Sequence, residues 1–117
     1  MIGNTGSTWP WEVHMRLLIR TQGIDLTEQL CEHIQNRVRF ALSRLGQNVQ
    51  LVHVHLRDEN GPRGGVAERC TLRTQVAGRD LIIERTHSDI RTAVSVASDR
   101  LGDAARRALA RSQSVPR

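Results

Sequence analysis

Residues 58–70 read DENGPRGGVAERC, three glycines, a proline and two arginines set between two alternating apolar segments. A phosphate-binding loop of the GxxxxGKS/T type needs a lysine and a hydroxyl to engage phosphates and magnesium, and residues 61–65 supply neither. Nor does a helix follow whose free backbone amides would assist an anion. The stretch therefore reads as the long loop of a β-hairpin, its glycines free to take positive φ and Pro62 stiffening the turn.

The flanking segments carry the strand period. Over Val49–Arg57, Val52, Val54 and Leu56 point one way and Leu51, His53, His55 and Arg57 the other. Over Arg69–Val76, Cys70, Leu72 and Val76 are inward, while Arg69, Thr71, Arg73 and Gln75 are outward. A further strand over 81–86 follows the Ala77-Gly78 turn signal; its faces stay open, because Leu81, Ile82 and Ile83 are consecutive. Upstream, Val13–Arg20 alternates again, with Val13, Met15, Leu17 and Ile19 opposite His14, Arg16, Leu18 and Arg20.

Two segments have helical spacing instead. Thr27 is placed to cap a helix over Thr27–Leu45 that ends at Gly46, with Leu30, Ile34, Val38, Ala41 and Leu45 on one stripe and Cys31 and Leu42 beside it. His33, Arg37, Phe40 and Arg44 form a second stripe on its flank. Ser88 is the expected cap of a last helix reaching Arg111, whose face of Ile90, Ala93, Val94, Ala97, Leu101, Ala104 and Ala108 is rich in alanine and suits close packing. Arg100, Arg107 and Arg111 repeat on its flank, and Gly102 weakens its middle slightly. Residues 1–12, with Trp9 and Trp11, and residues 112–117 read as flexible tails on a single domain over 13–111. The expected fold is α+β, β-α-β-β-β-α. A right-handed crossover makes the first two strands parallel, giving a four-stranded mixed sheet with two parallel helices on one face.

Composition points to a polyanionic partner. The 117 residues carry a formal charge of +5, and all 17 basic residues are arginine. Guanidinium groups grip phosphate oxygens with paired hydrogen bonds, where an ammonium offers a point charge. Two cysteines are too few for a disulfide framework or a four-cysteine zinc site. A metal site from His53, His55 and Cys70 fails on facing, because the histidines share the outward phase and Cys70 the inward one. No acid pair or nucleophile triad stands out. The sequence therefore gives no enzyme, cofactor, metal or small-molecule substrate, and neither a secretory leader nor a membrane span, so a cytoplasmic protein is expected.

Taken together, MRLLIRTQGIDLTEQL, NRVRFALSRL, the DENGPRGGVAERC loop and HSDIRTAVSVASDRL resemble the ribosome hibernation promoting factor and ribosome-associated inhibitor family, also called sigma-54 modulation proteins. The likeness spans Met15 to Arg111. It implies a short-form member without the long form's dimerisation domain, one that binds small-subunit rRNA between head and body and excludes tRNA and mRNA during dormancy or stress. In the family the rRNA contacts come largely from basic residues of the helices, here Arg37 and Arg44 on the first and Arg100, Arg107 and Arg111 on the second. Phe40, the only phenylalanine, either stacks on an unpaired rRNA base beside these arginines or fills the seam between the helices. The outward sheet face with Arg16, Arg20, Arg57, Arg69 and Arg73 is the reserve RNA-binding surface. The alternative function is a general RNA-binding stress module acting away from the ribosome.

Overall fold

A computed structural model of the chain describes residues 15–59 and 67–113. Its elements run β1 (Arg16–Gln22), α1 (Glu28–Ala41), a 3-10 helix (Ser43–Asn48), β2 (Leu51–Asp58), β3 (Glu68–Val76), β4 (Arg79–His87) and α2 (Ile90–Gln113). The strands form one sheet in the order β1-β2-β3-β4, with β1 and β2 parallel and the other pairs antiparallel. This is the α+β, β-α-β-β-β-α arrangement the sequence predicts.

The opening stretch does join two antiparallel strands. Asp58 faces Glu68 across the ladder, and the Glu59 amide donates to the Ala67 carbonyl at 2.7 Å, closing the hairpin at the base of its loop. The loop tip, including Arg63, lies outside the described residues, as do Val13, His14, both tryptophans and residues 114–117. The next hairpin turns on Ala77 and Gly78 alone, both at positive φ (53° and 77°), as a two-residue turn between right-twisted strands requires.

Alternation sets the core. Val52, Val54 and Leu56 from β2 and Cys70, Leu72 and Val76 from β3 are fully buried against Ile34, Val38, Val94, Ala97 and Leu101 of the helices. The ambiguous run on β4 resolves with Leu81 and Ile83 packed against the core and Ile82 exposed on the other face. Thr74 also points inward, and its hydroxyl is satisfied by donating to the Leu51 carbonyl. Burial raises the Cys70 thiol to about 12, so it stays a protonated core residue.

The helix ends differ in part from expectation. Thr27 caps α1, its hydroxyl accepting from the Leu30 amide at 3.1 Å. The helix stops at Ala41 rather than Leu45, because the chain tightens into the 3-10 turn that carries Leu45 into the core. Arg39 extends sideways from α1 and donates to the Met15 carbonyl at 3.0 Å, tying the entry of β1 to the helix. At α2 the cap is Asp89 rather than Ser88: its carboxylate accepts from the Thr92 amide at 3.3 Å and the Thr92 hydroxyl at 2.9 Å. A carboxylate at this end also meets the positive pole of the helix, which a serine hydroxyl does not. The helix runs on through Ser112 and Gln113.

The Thr92 hydroxyl, against an opposing desolvation, holds the Asp89 carboxyl below its ordinary value, with help from the Arg91 and Thr92 amides and the charge of His87. A carboxyl depressed by folding stabilises the fold in full above its unfolded value near 3.9 and loses that contribution as pH falls through the folded value. Asp89→Ala is therefore expected to lower the melting temperature at pH 7 and to shrink the difference from wild type as the pH is taken below about 3.9. Melting curves across that range check it, and a deficit independent of pH would assign the cap elsewhere.

Both helices cover one sheet face. Contacts between His33 and Ser95, Arg37 and Asp99, and Ala41 and Gly102 advance together along the two helices, so α1 and α2 run parallel. Alanines at 93, 97, 105 and 108 let α2 lie close on β3 and β4. At Gly102 the helices nearly touch, and a Cβ there would stand 2.7 Å from the Ala41 carbonyl oxygen.

Candidate nucleic-acid interface

The flank of α1 carrying His33, Arg37 and Phe40, continued by Arg44 in the 3-10 helix, borders the seam with α2. Two of the four are committed to that seam. The His33 ring nitrogen Nε2 lies 3.1 Å from the Arg91 carbonyl oxygen and 3.2 Å from the Ser95 hydroxyl, and Arg37 donates to Asp99 at 3.1 Å. Arg37 thus acts first as a half-exposed bridge between helices. Phe40, by contrast, is 75% exposed, which removes the reading that it fills the seam. Gly102 against Ala41 already closes the seam at that level. Arg44 is exposed and has no ion-pair partner among the described residues.

Arg100, Arg107 and Arg111 stand elsewhere. A helix advances about 100° per residue, so these three lie roughly 80° to 180° around α2 from Ser95, Asp99 and Gly102, on the flank away from α1. All three are exposed and none forms an ion pair among the described residues. The helix-borne arginines thus fall into a groove-side group and an outer-flank group. Sequence spacing did not reveal Asp99, Asp103 and Arg106 as groove residues, although their spacing with Gly102 along α2 contains that information. Arg106 is paired with Asp103 one turn earlier.

The uncovered sheet face gathers the reserve residues, and strand register fixes their neighbours. One row runs Gln22, Arg57, Arg69, Thr86; the next Arg20, His55, Thr71, Glu84; the next Leu18, His53, Arg73, Ile82. Arg69 bonds Glu59 at 3.0 Å and approaches Glu84 at 3.6 Å, and Arg57 approaches Glu59 at 3.9 Å. Those two arginines are neutralised locally. Arg16, Arg20 and Arg73 have no such partner among the described residues. His53 and His55 lie on this outer face while Cys70 is buried on the inner one, and no cluster able to hold a metal occurs among the described residues. Neither does any helix there have the length and apolarity to cross a membrane.

Residues 17–113 match the family model described as sigma 54 modulation protein / S30EA ribosomal protein, which takes in every described element apart from the first residue of β1. The chain belongs to this family. The S30EA family consists of non-enzymatic, ribosome-associated factors, in keeping with a surface of arginines around a closed apolar core. Among solved structures, a ribosomal subunit interface protein from Coxiella burnetii is similar with a TM-score of 0.66 at 13% identity, over 80% of this chain and 97% of that one. The N-terminal domain of Protein Y from Thermus thermophilus is similar with a TM-score of 0.64 at 14% identity, over 81% of this chain and 98% of that one. At such identities the likeness is one of fold. No curated protein sequence matches the chain.

Proposed function

We propose that this S30EA-family domain binds the small ribosomal subunit in its tRNA and mRNA channel and silences translation sterically in dormant or stressed cells. The observation that carries the reading is the set of four exposed guanidinium groups, Arg44, Arg100, Arg107 and Arg111, that have no ion-pair partner among the described residues, on the helical side of a domain from a ribosomal family. Such groups hold phosphates without any chemistry, and a rigid two-layer domain excludes other ligands by occupying space. Arg37 contributes from the groove while bridging to Asp99. Arg16, Arg20 and Arg73 on the sheet, without an ion-pair partner among the described residues, form the second surface available to RNA.

Sedimentation of a stationary-phase lysate through a sucrose gradient tests this. The protein is expected to migrate with small subunits or whole ribosomes at low salt and to be released at high salt, because phosphate contacts are weakened by competing counterions. Confinement to the top of the gradient at every salt concentration would overturn ribosome binding and favour an RNA-binding module acting elsewhere in the cytosol.

A further inference from the structure

Between α1 and α2 lies a groove that the arginine contacts alone do not explain. Its floor is small, because Gly102 packs against the Ala41 backbone. Phe40 and Arg44 border it on the α1 side, and Asp99, Asp103 and Arg106 on the α2 side. The Phe40 ring is the largest exposed apolar group among the described residues, and a ring so exposed can stack on a planar partner. Each carboxylate has one oxygen engaged, Asp99 Oδ1 by Arg37 and Asp103 Oδ1 by Arg106, while neither Oδ2 takes a hydrogen bond among the described residues. The groove thus offers an aromatic ring on one side and acceptor oxygens on the other, with the Arg44 guanidinium, which has no ion-pair partner among the described residues, on the rim.

We propose that this groove is a slot for one unpaired guanine of single-stranded RNA, stacked on Phe40 with its Watson–Crick edge turned to Asp99 and Asp103. The inference rests on the RNA-binding reading above and deepens it. Guanine fits because its N1–H and N2–H are adjacent donors that a carboxylate accepts together. Uracil flanks its single N–H with carbonyl oxygens, and adenine and cytosine each set a ring acceptor beside their amino group, so all three place an acceptor against the carboxylates. Arg44 is positioned for the adjoining phosphate. The acids, which would repel a bare RNA backbone, gain a role as base readers.

Fluorescence anisotropy with labelled UUGUU and UUUUU pentanucleotides on the full chain tests the slot. UUGUU is expected to bind about tenfold more tightly, within the discrimination that one bidentate base-edge contact supplies. Phe40→Ala should abolish that advantage with the melting temperature unchanged, since the ring is exposed, whereas Phe40→Trp should keep it. Asp103→Asn, which leaves the Arg37–Asp99 bridge between the helices in place, should reduce the guanine preference. Equal binding of the two oligonucleotides by wild type, no binding of either, or a preference that survives Phe40→Ala would overturn the slot. The gradient reports separately on the reading beneath it: comigration with ribosomes alongside any of those results leaves ribosome binding standing and removes the slot alone.

Discussion

Replacing Arg44, Arg100, Arg107 and Arg111 together by glutamine is expected to weaken binding to small subunits about a thousandfold in 0.1 M salt and to reduce the slope of log K against log salt by roughly 3 to 4. Each phosphate contact contributes about 0.9 to that slope on the duplex-DNA scale, so four contacts together account for both figures. Stability should not change, because all four side chains are exposed and hold no ion pair among the described residues. Arg37 is left in place, since removing it would strand Asp99 and confound binding with helix packing. Filter binding or gradient sedimentation across a salt series gives the slope directly. A slope equal to that of wild type would transfer the interface to the sheet face, where Arg16, Arg20 and Arg73 become the next set to replace.

The second large effect concerns folding. Gly102→Ala is expected to lower the melting temperature by about 5 to 10 °C, and Gly102→Val by more. Alanine in a helix interior gains up to about 1 kcal/mol over glycine, so propensity alone predicts the opposite sign. Sterics decide the matter. The added carbon would meet the Ala41 carbonyl oxygen at 2.7 Å and the Ala41 Cβ at 3.3 Å, and a backbone carbonyl cannot turn aside as a flexible side chain can. The helices must part, at a cost of about 1 to 3 kcal/mol typical of overpacking. Thermal unfolding of the alanine variant checks this, and a melting temperature at or above wild type would mean that the helices separate there at little cost.

Gly102 also shows what the sequence could and could not convey. Read along one helix, it is a weak point; only the opposing helix turns it into a contact. The alternation of Val52, Val54 and Leu56 and of Cys70, Leu72 and Val76 was legible because strand phase is a local property, and the helical stripes were legible for the same reason, except that Ala105 and not Ala104 is buried on α2. Rotation of one element relative to another is not local. Arg37 and Asp99 are 62 residues apart, and nothing near either discloses that they pair. The consecutive Leu81, Ile82 and Ile83 had no phase of their own until the register with β3 supplied one. Ser88 and Asp89 are adjacent capping residues, and the choice between them turned on a carboxylate reaching Thr92.

The parallel pairing of β1 and β2 has a bearing on how the chain matures during its own synthesis. Strands β2, β3 and β4 follow one another through hairpins, so each can pair with its predecessor soon after leaving the exit tunnel. β1 emerges first but has a single strand neighbour, and that neighbour arrives only after α1 and the 3-10 turn have been made. Closing this loop costs chain entropy before the ladder returns anything, so β1 is expected to dock late and to detach first. Native-state hydrogen exchange should accordingly find the β1 amides opening at lower free energy than those of β3; equal protection would mean that the Arg39 tether to Met15 and the core contacts of Leu17 and Ile19 bind the edge strand into the same cooperative unit as the meander.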